Sequence, residues 1–150
     1  MSEYKQYVRL LLAEDKYGID IMDIEEILRM VDITTVPKAP SFVEGIINLR
    51  GRVIPIVDLR KKLGLMASDF TNSTRIIVVN LSGRKIGFIV DNVEDVLRVS
   101  SDVVDKAPSA STGADTKYIK GVAKTETEMV IILDVHKVFS GNESSALNMF

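Results

Sequence analysis

Displaced by 69 positions, YGIDIMDIEEILRM (17–30) falls on IGFIVDNVEDVLRV (86–99) without a gap. Gly18/Gly87, Glu25/Glu94, Leu28/Leu97 and Arg29/Arg98 are identical, and Ile24/Val93, Ile27/Val96 and Met30/Val99 are apolar in both. Chance gives about one identity in such a window, so a repeat is the better account. Displaced by 76, GIINLRGRVIPIVDLRKKL (45–63) falls on GVAKTETEMVIILDVHKVF (121–139), with Gly45/Gly121, Ile56/Ile132, Asp58/Asp134 and Lys61/Lys137 identical. The small-residue loop SASTGADT (109–116) accounts for the growth of the offset by seven. A duplicated chain folds as two similar units, and each unit here is short.

The elements recur in the same order. Runs 7–13 and 17–22 read as a β-hairpin about a polar turn, and 75–81 with 85–90 as its repeat. Segments 23–27, with Asp23 as cap, and 92–96 read as single helical turns, and 41–44 as a short capped turn of helix. Strands follow at 45–49 and 52–57, then at 121–123 and 129–133. Pro55 inside its strand argues for an edge or a bulge. Asp58 opens a short helix stopped by Gly64, and 134–139 repeats it. Each copy is thus an all-β unit of about five short strands, and closure into a small barrel would remove the exposed edges. Subdomain 1 spans about 7–65 and subdomain 2 about 74–140, with 66–73 between them and a frayed tail at 141–150, all within one domain of 1–150. Ile76–Val79 and Val130–Leu133 are apolar at every position, so both faces of those strands should be buried and the two barrels should share a core.

Composition closes several functional classes. Cys is absent and His136 is the one histidine, so thiolate sites, a Cys nucleophile and two-His metal sites are excluded. The net charge of -2 offers no general field for nucleic acid or anionic lipid. No run of apolar residues reaches the length of a transmembrane helix, and the N-terminus has no signal-peptide pattern, which points to the cytoplasm. No phosphate-binding loop, nucleophile elbow or zinc-protease motif occurs. No cofactor or metal is expected, and the chain does not read as an enzyme.

The repeat also sorts residues. Asp58 and Asp134 stand at both strand-to-helix junctions and read as caps. Glu25 and Glu94 pair locally with Arg29 and Arg98 if their turns are helical. His136, whose counterpart is Arg60, reads as a solvated helix position. The two hairpin tips differ: 48–52 (NLRGR) is basic with a glycine, whereas 124–128 (KTETE) is acidic with none. Features that differ between copies are the better functional candidates.

At this point VPKAPSFVEGIINLRGRVIPIVDLRKKLG (36–64) can be placed. It resembles the signature region of the CheW family, the adaptor proteins of bacterial chemotaxis. Residues 17–30 resemble the preceding block of that family, and RKIGFIVDNVEDVLRV (84–99) the matching block of its second half. The resemblance implies two small SH3-like five-stranded β-barrels, sharing a core and carrying short helical turns. It further implies a non-catalytic coupling protein that links the cytoplasmic tip of a chemoreceptor (a methyl-accepting chemotaxis protein) to the histidine kinase CheA, through that kinase's own CheW-like regulatory domain. Such a protein is cytoplasmic and recruited to membrane receptor arrays, with neither nucleic-acid binding nor membrane insertion.

By the same resemblance, Ile24, Glu26 and Gly45 lie at or near the kinase contact, and Arg50, Ile76, Gly87 and Val93 at the receptor contact. Gly87 and Val93 repeat Gly18 and Ile24, so core packing competes with contact there. Alternatives are a CheW-like domain from a CheA or CheV protein, a small-barrel nucleic-acid binder, and a minimal hydrolase using Asp134 and His136.

Overall fold

The computed structural model describes residues 3–101, 104–106 and 118–138. The loop 109–116, the tail 141–150 and the expected helix end at Phe139 lie outside the described residues. In chain order the elements are β1 (Tyr4–Leu12), β2 (Asp15–Asp20), a 3-10 turn (Ile21–Asp23), β3 (Ile24–Arg29), β4 (Val43–Leu49), β5 (Arg52–Asp58) and α1 (Leu59–Lys62). There follow β6 (Arg75–Leu81), β7 (Arg84–Val90), β8 (Asn92–Ser100), β9 (Val104–Lys106), β10 (Ile119–Lys124), β11 (Met129–Leu133) and α2 (Val135–Val138).

These strands make two sheets, ordered β8–β1–β2–β11–β10–β9 and β3–β6–β7–β5–β4. The repeat is visible in the pairing itself. Each sheet has an antiparallel hairpin at its centre, β1–β2 or β6–β7, drawn from one half of the chain, while the flanking strands come from the other half. Even the register repeats. β11 meets β2 in parallel with Ile132 opposite Gly18, and β5 meets β7 in parallel with Ile56 opposite Gly87.

The expectation of two closed five-stranded barrels is not met. The sheets are open, one of six strands and one of five, and among the described residues no ladder joins β8 to β9 or β3 to β4. The reason lies in the segments that follow the edge strands β3 and β8. Thr34 and Ile46 exchange two backbone hydrogen bonds of 2.9 Å, which occupies the outer edge of β4. β9 does the same to β10. The edge that closure would need is already paired, so exposed backbone is dealt with without a barrel.

The common core survives that correction. One cluster gathers Leu10, Leu12, Tyr17 and Ile19 of the first sheet with Ile77, Val79, Phe88 and Val57 of the second. A second lies on the far face of the second sheet (Ile54, Ile56, Ile76, Val78, Ile89), and a third on the far face of the first (Tyr7, Val99, Val130, Ile132). Along Ile76–Val79 and Val130–Leu133 successive side chains alternate between the shared and the private core, so both faces are buried as expected.

Three local expectations are corrected. Segments 23–27 and 92–96 are strands: Asp20 rather than Asp23 caps the 3-10 turn, accepting from the Met22 N–H at 2.9 Å, and β3 and β8 pair with β6 and β1. Glu25 and Glu94 therefore meet Lys85 and Lys16 on neighbouring strands rather than Arg29 and Arg98. Segment 41–44 forms a turn, closed by Val43 N–H to Pro40 O at 2.9 Å, that leads into β4. β5 is an interior strand, and Pro55 stands just before its parallel ladder with β7. The two caps are as expected: Asp58 accepts from Arg60 N–H at 3.0 Å and Asp134 from His136 N–H at 3.1 Å.

Candidate protein–protein interface

The β4–β5 tip is a tight turn in which Arg50 and Gly51 both take positive φ, 52° and 84°. Asn48 Oδ1 accepts from Gly51 N–H at 2.9 Å and holds the turn. Arg50 is 67% exposed, and its guanidinium reaches Glu26 on β3: Nη2 stands 2.7 and 2.5 Å from the two carboxylate oxygens and Nη1 3.0 Å from Oε1. β3 and β4 are the two edges of one sheet, so this bidentate pair spans the seam where a barrel would have closed. Beside it the Glu25 carboxyl is held below its ordinary pKa, first by its hydrogen bond with Lys85, whose Nζ lies 2.7 Å away.

In the second copy Asp95 stands at the position of Glu26, and Glu126 and Glu128 at those of Arg50 and Arg52. All are acids, and the cation comes from another strand. Arg9 on β1 donates to Asp95 from Nε at 2.8 Å and Nη2 at 2.6 Å, and to Glu128. The hydrogen bond with Asp95 is the main cause of a raised Arg9 pKa, and the same bond lowers the Asp95 carboxyl. The two unlike tips are thus each matched by a counter-charge within the chain.

The apolar positions, by contrast, are alike. Ile27 and its counterpart Val96 are 41% and 50% exposed on the edge strands, and Val53 and its counterpart Met129 are 54% and 63% exposed on β5 and β11. Each sheet therefore displays the same apolar pair in a different charged setting.

Of the seven site candidates, Glu26 and Arg50 meet directly. Ile24 and Val93 are half-buried against the shared core, on β3 and β8. Ile76 and Gly87 lie inside the second sheet: a Cβ on Gly87 would come within 2.8 Å of Ile76 Cγ2 and 2.6 Å of Ile56 Cδ1. Gly45 has φ +151°, and a Cβ there would lie 2.1 Å from the Thr34 carbonyl oxygen, so the close approach of the segment around Thr34 requires glycine. His136, half-exposed, places Nε2 3.1 Å from Asp23 Oδ1.

One feature lies outside the sequence reading. Lys62 is buried between two rings, with Nζ 4.6 Å from the centroid of Phe42 and 5.1 Å from that of Tyr118, and it donates to Tyr118 Oη at 3.2 Å. Phe42 and Tyr118 are themselves repeat counterparts at the offset of 76, while the counterpart of Lys62 is the buried Val138. Extending the second repeat block by three residues would have exposed the aromatic pair.

A family model described as the CheW-like domain matches residues 6–143. The chain is 38% identical over 150 residues to the chemotaxis protein CheW of Treponema pallidum, covering 97% of this chain and 88% of that one. It is 39% identical over 127 residues to CheW of Thermotoga maritima, covering 85% and 82%. A crystal structure of the scaffolding protein TtCheW from Thermoanaerobacter tengcongensis superposes with a TM-score of 0.86 at 40% identity, covering 95% of this chain and 96% of that one.

Proposed function

The chain belongs to the CheW family, and from that premise we propose that this non-catalytic chemotaxis scaffold holds a chemoreceptor tip and the kinase CheA at once. The observation that carries the reading is the Glu26–Arg50 ion pair, which brings one candidate from each contact together on the sheet that also exposes the apolar Ile27 and Val53. Apolar contact supplies affinity while the charges choose the partner. Coupling requires that both partners be touched together, since a scaffold biases the kinase only through differential contact with its states.

Kinase contact is assigned to the β3 side, with Ile24 and Glu26 both half-buried there and Gly45 setting the path of β4. Receptor contact is assigned to Arg50 and Val93, with Ile76 and Gly87 shaping the sheet from beneath. The Glu26–Arg50 ion pair joins the two sets, so a partner that engages Arg50 alters what Glu26 presents. No helix among the described residues is long and apolar enough to cross a membrane; recruitment to receptor arrays comes through the receptor itself.

The test is a pair of titrations with the CheA regulatory domain and a receptor-tip fragment. Glu26→Lys should weaken kinase binding, and Arg50→Ala should weaken receptor binding while kinase binding largely survives. If both variants stay folded and bind both partners as the parent does, the assignment of the two contacts fails.

A further inference from the structure

Arg29 and Arg75 stand directly opposite each other on β3 and β6. Like charges in that relation destabilise a strand pair. Both line a surface depression of about 380 Å³ together with Met30, Thr71, Asn72 and Thr74. Arg75 is held in place by its turn: Nη1 donates to the carbonyls of Asn72 at 2.8 Å and Thr74 at 2.9 Å. That turn is locked in its own right by Thr71 N–H to Thr74 Oγ1 at 2.8 Å. Neither guanidinium has a carboxylate partner among the described residues.

The other copy shows what the scaffold alone requires. The pair equivalent to Arg29–Arg75 is Arg98–Gln6, one cation facing an amide. There the guanidinium is covered, with Arg98 Cζ 4.3 Å from the centroid of the Tyr4 ring. The fold therefore needs no second arginine at this place. In the second sheet the two like charges are kept side by side, with no carboxylate counter-ion among the described residues.

We propose that the Arg29–Arg75 depression binds carboxylate side chains on an acidic stretch of a protein partner. Guanidinium forks donate bidentately to carboxylates, and two arginines lining one depression fit one or two acidic residues. A polyanion such as nucleic acid needs a longer run of cations, and the chain carries a net charge of -2. The site lies at the Arg29–Arg75 end of the β3–β6 pair, beyond Glu26, and does not depend on the assignment of the two contacts above.

The experiment is a titration of the full ¹⁵N-labelled chain, read at the arginine Nε–Hε resonances. The probes are a blocked tetraglutamate peptide, the matching tetraglutamine peptide and inorganic phosphate. Tetraglutamate should shift the Arg29 and Arg75 resonances saturably, tetraglutamine should not, and added salt should weaken the effect. Arg29→Gln should weaken tetraglutamate binding about tenfold or more, with a melting temperature equal to or above that of the parent. Arg75→Gln should act in the same direction. The proposal is overturned if tetraglutamate leaves both resonances in place, if binding survives both substitutions, or if phosphate binds there more tightly than the peptide.

Discussion

Gly45→Ala should cost far more than its one added methyl suggests. The backbone there has φ +151°, a region that L-residues hardly occupy, which costs ~1–3 kcal/mol by itself. The new Cβ would lie 2.1 Å from Thr34 O and 2.7 Å from Thr34 C, both backbone atoms that cannot swing aside as a side chain would. Relief requires separating Thr34 from Ile46, which gives up two hydrogen bonds of 2.9 Å at a net ~0.5–1.5 kcal/mol each. The total is about 4 kcal/mol, a large part of the ~5–15 kcal/mol by which such domains are stable. At about 2–4 °C per kcal/mol for a chain of this size, melting should fall by roughly 8–16 °C. Gly51→Ala is the control: its φ is +84°, but nothing lies within 4 Å of the added Cβ, so only backbone strain of ~1–2 kcal/mol applies. Urea unfolding followed by circular dichroism measures both. If Gly45→Ala is no worse than Gly51→Ala, the close approach of Thr34 does not hold the β4 edge as described.

Arg50→Ala alone should change stability by about 0.5 kcal/mol or less, because an exposed ion pair contributes little, and a Glu26/Arg50 double-mutant cycle should give a coupling of ~0.2–1 kcal/mol. The same substitution should lose on the order of 2 kcal/mol of receptor binding, and unchanged receptor affinity in a folded variant removes Arg50 from that contact. Burial alone would raise the Asp91 carboxyl, but Arg60 and the Ala13 N–H, which donates at 3.0 Å, outweigh it and hold the pKa below its ordinary value. A depressed folded pKa adds stability above the unfolded value of about 3.9 and loses it as pH falls through the folded value. Asp91→Asn should therefore show a shallower stability loss below about pH 4 than the parent in urea midpoints, and parallel curves would contradict this. Lys62→Met keeps the buried stem but removes the cation between the Phe42 and Tyr118 rings; an expected loss of ~0.5–2 kcal/mol is read by the same unfolding assay, and a gain would show the rings do not hold the charge.

The strands with two buried faces, the two Asp caps and the duplication were legible because each is written in local sequence: an unbroken apolar run, a cap followed by a glycine stop, an ungapped match. Segments 23–27 and 92–96 read as helical turns because Asp23 suits a helix cap and the second segment repeats the first, and the pairings with β6 and β1 that make them strands are not local. Barrel closure was the reasonable remedy for exposed edges. Nothing in the short run 30–36 announces that Thr34 will occupy one of them. The charge matching was hidden for a similar reason: the cation that meets Asp95 and Glu128 is Arg9, whose own repeat counterpart is the buried Val78. The seven site candidates came from family resemblance. Among them the sequence does separate the charged Glu26 and Arg50 from Ile76, which sits in a run apolar at every position and is buried.

The central hairpin of each sheet belongs to the opposite half of the chain, and this has a consequence for what the molecule can become. A cut within 66–73 would yield two pieces that each lack the middle of their own sheet, so neither would be a miniature of the whole. Mixed together, they would have every strand pairing available again and should reassemble as a split protein. The same logic applies between intact copies: one chain's hairpin fits the gap in another's sheet as well as in its own. At high concentration, refolding can then trade halves between molecules and lock two of them into an intertwined dimer that makes no contact the monomer lacks. A freshly refolded preparation is where such a species would collect, and it would separate only by unfolding.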